Sequence, residues 1–439
     1  MKKIIVSLTA ASLIVVSATA ADKGIDIVTT GQTALYYQTA TTNATGAKDL
    51  FDQNVASANV GVQLNLDADL KNDFTFGSQI TYLGTNGLEK NLVSNTMSNT
   101  NGVTAAVNQT NLDSVVALTQ INVSKKIANT TVKLGRQELP MALSPLAFSE
   151  DWNIFKNTFE AALIVNSDIP QTTLVGAYVS KSNNFADLSD FGNVAAATDA
   201  GAATVAGTAY MVTAQNKSIP MTTVTASYYN MAKIGQNLLV TQDIAADALW
   251  ADVAIADKSL PMGLTLGLQA GQINPDSSIF ADTTALGIKA SIVPMSALTL
   301  TAAYTSVSGD ENKANAAIRN VANTGASSKT PLYTQMVANQ AAIALDANTI
   351  MLKAAYSLGD YGTVIAQGTQ TDAGKANLNA RSNGEGNDLT DLELLYVVKA
   401  AGVNYLAGYV HQMYDTATVG STTQADATDI IRVWARYNF

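Results

Sequence analysis

One run of the chain, "KLGRQELPMALSPLAFSEDWNIFKNTFE" from Lys133 to Glu160, gathers the groups that could do chemistry. Lys133, Arg136 and Lys156 stand against Glu138, Glu150, Asp151 and Glu160, with Phe148, Trp152, Phe155 and the apolar Met141, Leu143 and Leu146 among them. Bond-making chemistry would need a nucleophile, a base and an orienting group. The chain has no cysteine and one histidine, His411 in "YVHQMY", with no serine beside it. It shows no metal-ligand cluster, phosphate loop or dinucleotide motif. What the run offers is electrostatic: charges of both signs that would sort solutes if held around a narrow path. The expectation is therefore a protein that is not an enzyme.

Such charges need a frame. Ala56, Ala58, Val60, Val62, Leu64 and Leu66 alternate with Ser57, Asn59, Gly61, Gln63, Asn65 and Asp67. That period of two specifies a strand. Leu264, Leu266, Leu268 and Ala270 do the same, as do Leu298, Leu300, Ala302 and Tyr304, and the rhythm returns in 74–82, 247–257, 284–292 and 389–399. Each segment runs about ten residues, the length of a tilted strand crossing a bilayer. Half of the eight prolines belong to one repeated device: "SDIPQTTL", "KSIPMTTV", "KSLPMGLT" and "SIVPMSAL", with Pro170, Pro220, Pro261 and Pro294 each after Ile, Leu or Val. Proline presets φ and needs no ladder donor where a strand begins. These are read as tight links, joined by Leu70–Asp73, Lys125–Asn129, Leu358–Tyr361 and Ala400–Gly402. Longer stretches lie near 40–54, 84–111, 139–157, 183–205, 232–246, 272–283, 307–346, 372–387 and 415–424. Eight tight links alternating with nine long loops predict eighteen strands.

Short turns at one end and long loops at the other predict an all-β transmembrane antiparallel β-barrel, turns periplasmic and loops extracellular. Lipid offers the backbone no partners, so the wall must close on itself, and eighteen strands leave a wet lumen. Tyr36, Tyr82, Tyr178, Tyr228 and Tyr304 are expected at the outer interface, with Tyr356, Tyr437 and Phe439 at the inner one. Strand parity puts Lys133, Lys289, Lys353, Arg432 and Arg436 on the lumen wall, with Glu160, Asp252, Asp391 and Glu393 as inward acids. The third outer loop, 139–157, holds Pro140 and Pro145 and is too apolar for water. It is expected to fold into the lumen. That would place Glu138, Glu150, Asp151 and Lys156 at the narrowest point, with Arg136 at the strand end beside them. In the loop 307–346, Asp310 as cap, Ala314, Ala317, Ile318 and Val321 at helical spacing and Gly325 as stop predict a short surface helix partly covering the mouth.

Composition agrees. The 439 residues are 47% hydrophobic and 14% charged, against roughly 25% charged in soluble domains, and such a chain is not disordered. Without cysteine there is no disulfide scaffold. Residues 1–20 read as a signal peptide: Lys2 and Lys3, an apolar run from Ile4 to Val16, then Ala18-Thr19-Ala20 before Ala21. The 25 Lys and Arg less Lys2 and Lys3 leave 23 against 35 Asp and Glu, a net −12 for residues 21–439. That balance argues against nucleic acid as a partner and suggests a weak cation preference.

The chain ends in "DIIRVWARYNF", with Ile431, Val433, Ala435 and Tyr437 at every second position before Phe439. A terminal aromatic after such alternation resembles the signal read by the outer-membrane assembly machinery. Together with the leader, the hairpin rhythm and "GRQELPMALSP" followed by "NTFEAALI", it makes the whole mature chain, and 133–182 above all, similar to the Opr-type porins. These are eighteen-stranded barrels that include the major outer-membrane proteins of campylobacter-like bacteria. The resemblance implies a channel in the bacterial outer membrane, narrowed by its third loop, for passive diffusion of ions and small hydrophilic solutes. It implies outer-membrane lipid around the barrel, a homotrimer, and basic wall residues facing acidic ones. It implies no cofactor beyond the calcium that some relatives hold with loop carboxylates, and no stretch here is oxygen-rich enough for that ion. The competing reading is a surface-layer or structural outer-membrane protein without channel activity, which would also be acidic, cysteine-free and rich in Ala, Thr and Asn.

Overall fold

A computed structural model of the chain describes residues 25–88, 91–93, 114–151, 154–183, 188–189, 191–194, 207–237, 242–278, 280–310, 313, 318–321, 329–338, 346–372, 388–414, 418–419, 422–423 and 427–439. The expected leader, Trp152, Ala314, Ala317 and Gly325 lie outside the described residues.

Strands form wherever the period of two runs uninterrupted. In order they are β1 (Asp26–Thr42), β2 (Ala56–Lys71), β3 (Phe74–Gly84), β4 (Val115–Ile127), β5 (Thr130–Gln137) and β6 (Phe159–Asn166). There follow β7 (Thr172–Asn183), β8 (Thr208–Asn216), β9 (Thr222–Asn237), β10 (Gln242–Ala256), β11 (Thr265–Pro275) and β12 (Thr283–Met295). The last six are β13 (Leu298–Gly309), β14 (Asn348–Ser357), β15 (Thr363–Asp372), β16 (Leu389–Ala400), β17 (Val403–Tyr414) and β18 (Ala427–Asn438). Each pairs antiparallel with its neighbours, and β1 also pairs with β18, from Gln32 opposite Asn438 to Thr42 opposite Thr428. The result is a closed eighteen-stranded barrel. A three-residue strand, Phe191–Asn193, adds to the long-loop end of β7.

Alternation sets the two faces. On β11, Gly267, Gln269 and Gly271 are buried while Leu266 and Leu268 are exposed. Exposed Leu134, Ile164, Leu249, Leu286, Ile350 and Leu392 continue that outer face around the wall. A continuous exposed apolar surface is a wall made for hydrocarbon, not for water. The inner face carries polar ladders, such as Gln63 Nε2 donating to Gln79 Oε1 at 3.1 Å and Thr119 Oγ1 donating to Gln79 Oε1 at 2.7 Å. Tyr82 bonds to Asn86, Tyr228 to Asp247 and Tyr304 to Asn348 near the long-loop end. Tyr36 departs from the expected belt: Leu35 beside it is exposed, so Tyr36 points inward and is fully buried.

Three of the four proline devices share one backbone solution. In each, the residue after proline takes positive φ: Gln171 at 57°, Met221 at 60° and Met262 at 52°. The residue after that donates its N–H back three positions, Thr172 to Ile169, Thr222 to Ile219 and Gly263 to Leu260, each at 3.0 Å. Proline fixes the first corner residue and the left-handed second one closes the β-turn. The fourth copy differs. Pro294 lies inside β12, where the pairing with β13 shifts between Ile292 and Met295. The expected loop at 232–246 is shorter than thought, because β9 and β10 continue to Asn237 and from Gln242.

The chain end seals the barrel. Gly31 N–H donates to Phe439 O at 2.8 Å and Phe439 N–H returns to Gly31 O at 3.0 Å. A Cβ at Gly31 would come within 2.3 Å of the Phe439 ring and 2.7 Å of Gln63 O. Gly31→Val should therefore destabilise the β1–β18 seam by about 1–3 kcal/mol. The expected result is a lower melting temperature of the compact form on unboiled gels; an unchanged midpoint would count against the seam depending on this contact.

Candidate constriction in the lumen

Between β5 and β6 the third loop, 138–158, leaves the wall and crosses the lumen. Its first half closes on itself: Ser149 N–H donates to Leu139 O at 2.8 Å, Leu139 N–H to Ser149 Oγ at 3.0 Å, and Ser144 Oγ to Ala147 O at 2.6 Å. Leu139, Leu146 and Phe148 are then 0–2% exposed. Leu139 and Leu146 join a cluster with the inward faces of β6 to β10, including Phe159, Tyr229 and Trp250. On the opposite wall Ile154 and Phe155 pack with Tyr36 and Leu83, and a Cβ at Gly61 would meet the Phe155 ring at 2.4 Å. The apolar side chains that looked misplaced in an aqueous loop are what carry it across the barrel.

The seventh loop, between β13 and β14, also turns inward. Among its described residues there is no helix. Ile318 and Val321, expected on a surface helix, are fully buried against the third loop's cluster. Asn320 forms the join: its Nδ2 donates to Phe148 O and Glu150 Oε1, both at 2.7 Å, and its Oδ1 accepts from Phe148 N–H at 3.0 Å. Val321 N–H donates to Leu146 O at 2.8 Å and Lys329 N–H to Glu150 Oε1 at 3.0 Å. The two loops form one strap, a feature sequence reasoning missed. Its signal was present as Ile318, Val321, Leu332 and Met336 in an otherwise polar stretch, but was spent on an amphipathic helix.

The charges sort accordingly. Glu138 and Lys156 pair at 2.8 Å, about half exposed, and border both a chamber of about 810 Å³ against β8–β12 and one of about 480 Å³ against β1–β3 and β18. Asp151 accepts from Lys329 Nζ at 2.6 Å, and its carbonyl accepts from Arg436 Nη2 at 3.3 Å. Burial would raise the Asp151 carboxyl, but the Lys329 ammonium outweighs it and holds it below the usual range. Glu150 does not line the passage. It is 1% exposed inside the strap, and burial pushes its carboxyl up to about 7 against the hydrogen bonds from Asn320 and Lys329.

Lys133, Lys289, Lys353, Arg432 and Arg436 stand next to exposed Leu134, Ile288, Leu352, Val433 and Tyr437, and Asp391 and Glu393 next to exposed Leu392 and Leu394, so alternation puts them on the inner face; Asp252, three residues after exposed Leu249, lies there too. Lys289 Nζ sits 4.2 Å from the Tyr333 ring centre, and Tyr333 OH donates to Asp252 Oδ1 at 3.0 Å. Two expected pore residues lie elsewhere. Arg136 and Glu160 share the outer face with Ile121, Leu134 and Tyr178, bonded to each other at 3.0 Å under the Phe191 ring. The parity of β6 was unreadable because Ala161, Leu163 and Val165 on its inner face are as apolar as Ala162 and Ile164 outside. That inner face is covered by the third loop. His411 is also on the outer face, its Nδ1 2.7 Å from Asp429 Oδ1. Among the described residues no three His, Cys, Asp or Glu side chains group as a metal site.

Comparison with known proteins supports the architecture. No family model and no curated protein matches the chain. Among solved structures, Pseudomonas aeruginosa OccK8 (OprE) superposes with a TM-score of 0.69 at 15% identity over 94% of this chain and 98% of that one. OccK1 (OpdK) gives 0.68 at 14% identity, and OccK2 (OpdF), solved in complex with glucuronate, 0.64 at 14%, each covering 94% of this chain and 98% of the other. All three come from the same bacterium and share the barrel with this chain; they do not single out the campylobacter-like branch.

Proposed function

We propose that the protein is an outer-membrane porin, a water-filled channel through which small hydrophilic solutes and ions diffuse past the strap formed by its third and seventh loops. One observation carries this: the strap spans the lumen yet leaves chambers on both sides, bordered by the half-exposed Glu138–Lys156 pair. A loop that only covered the mouth would have no reason to pack on opposite inner walls. The leader at residues 1–20, assembly through Phe439 and a trimer in outer-membrane lipid belong to the same reading.

Ion preference turns on the side chains that line the path, not on the net charge of −12. Asp391 and Glu393 are buried, Glu138 and Asp151 are ion-paired, and Asp252 accepts from Trp250 Nε1 and from Tyr333 OH. Lys133, Lys289 and Lys353 have no acidic group within 4 Å among the described residues. The lining favours anions, which replaces the cation preference suggested by composition, and small carboxylates are the natural solute class; glucuronate in OccK2 is of that kind. A unit charge about 4 Å from the ion path is worth ~1 kcal/mol even in water. Replacing Lys133, Lys289 and Lys353 with Gln should lower chloride over potassium permeability at least about twofold. The check is the reversal potential in planar bilayers under a salt gradient. If the purified protein passes no current at all, the channel reading itself fails.

A further inference from the structure

On the outward wall, Arg136 and Glu160 stand with a third charge that takes no part in the passage. Lys181 on β7 lies opposite Glu160, its Nζ 4.0 Å from Glu160 Oε2. Arg136 spends Nε and Nη2 on Glu160 Oε1, both at 3.0 Å, and Nη1 on Leu118 O at 2.9 Å. That leaves an N–H on each terminal nitrogen of the guanidinium. Two cations thus share one carboxylate, and the Lys181 ammonium makes no hydrogen bond among the described residues. All three charges belong to the long-loop end: Arg136 is the next-to-last residue of β5, Glu160 the second of β6, and Lys181 lies two residues before the end of β7. A charge on the lipid face costs most at the middle of the membrane and little at its rim.

The backbone opens a recess at the same place. β4 passes Thr119 without a partner on β3, and β7 passes Ser180 without one on β6. Such bulges bend a strand and re-aim its side chains. One lies on each side of the Arg136–Glu160 pair: Leu118 O beside the first takes the Arg136 bond, and Ser180 Oγ at the second donates to Glu160 O at 3.2 Å. With the two paired charges, Leu118, Ile121, Leu134, Ala162 and Tyr178 line a space of about 590 Å³. Leu134, Ala162 and Tyr178 lie on the membrane side of the charges. A wall that met only hydrocarbon would need neither the surplus cation nor the recess. An apolar slot below a basic rim matches an acyl chain below an anionic headgroup.

We propose that Arg136 and Lys181 hold the phosphate of a phosphorylated glycolipid of the outer leaflet, whose acyl chain lies in the recess between β4 and β7. The inference rests on the outer-membrane reading above, but not on conduction. Glu160 orients the guanidinium, and the Phe191 ring, 3.8 Å from Arg136 Cζ, covers one side of it. Lys181, with a single loose contact, is free to turn to the phosphate.

The test uses the mature protein in detergent, freed of lipid and titrated with diphosphorylated lipid A, with the same lipid stripped of its phosphates, or with inorganic phosphate. Native mass spectrometry counts what is retained. The expected result is a lipid A retained on each chain, with the dephosphorylated form held at least about tenfold more weakly. Lys181→Gln should weaken lipid A binding at least about tenfold as well. Ala162→Phe, which fills the recess from the lipid side, should expel the lipid. Lys125, over the Phe74 ring at the turn end of β4, is the control: Lys125→Gln removes a charge at the opposite rim and should change nothing. Equal retention of the two lipids by the wild type overturns the site, as does a Lys181→Gln variant that holds lipid A like the wild type, even if Ala162→Phe misfolds. Inorganic phosphate that binds as tightly as lipid A would remove the lipid as occupant. Paired copies that persist without lipid and vanish in Lys181→Gln would give the face to a second chain instead. Binding is scored without current, so a protein that holds lipid A but does not conduct loses the channel reading and keeps this site.

Discussion

Asn320→Ala should give a channel with larger and noisier single-channel conductance than the wild type. Three hydrogen bonds from one carboxamide hold the third loop at Phe148 and Glu150, and all three are buried. A buried neutral hydrogen bond contributes about 1 kcal/mol net, and one to a charged group about 1.5–3. Losing them together weakens the strap by roughly 3.5–5 kcal/mol, a shift of more than about a hundredfold between docked and undocked loop. The barrel wall is untouched, so the eighteen-stranded fold and its heat-modifiable mobility should persist. Bilayer recordings would show conductance raised severalfold with frequent transitions. A conductance equal to wild type would mean that the third loop is held by its own apolar packing and that the seventh loop is incidental.

Acidification should narrow the same channel. Glu150 faces Asn320, the Lys329 backbone and ammonium, and Arg319 from the seventh loop, with Asp151 next to it on its own loop. Its carboxyl is raised from 4.5 to about 7, chiefly by burial. An acid raised on docking is more stable docked when neutral. Its contribution is therefore complete below about pH 4.5, falls as pH rises through 7, and is flat above. The interval corresponds to about 3 kcal/mol. Conductance should rise between pH 5 and pH 8, and Glu150→Gln should hold it at the acid value throughout. Asp151 titrates below its usual range because of Lys329, so it stays ionised across that window and does not confuse the reading. A wild type that ignores pH over this range, or a Gln variant that still follows it, would remove Glu150 as the sensor.

The division between what was and was not legible runs along a physical line. Strand alternation is local: successive side chains of an extended chain must point to opposite faces, so Leu266 and Leu268 could be set outside and Gln269 inside from spacing alone. The links were legible for the same reason, since Pro170, Pro220 and Pro261 fix their own φ and the next residue completes the corner. Parity failed where tertiary contacts made both faces apolar. On β6, Ala161, Leu163 and Val165 meet the third loop, which hid that Glu160 and its partner Arg136 face outward.

The sequence by itself determined a sealed cylinder of alternating strands and that the third loop is too apolar to remain in water. Only the tertiary structure decided that Asn320 meets Phe148 across 172 residues, that Glu150 is enclosed instead of lining the passage, and that Asp391 is buried in the wall. Backbone alternation is fixed by each residue's immediate neighbours. Which loop covers which, and which charge loses its water, depends on surfaces that come together only once the barrel has closed.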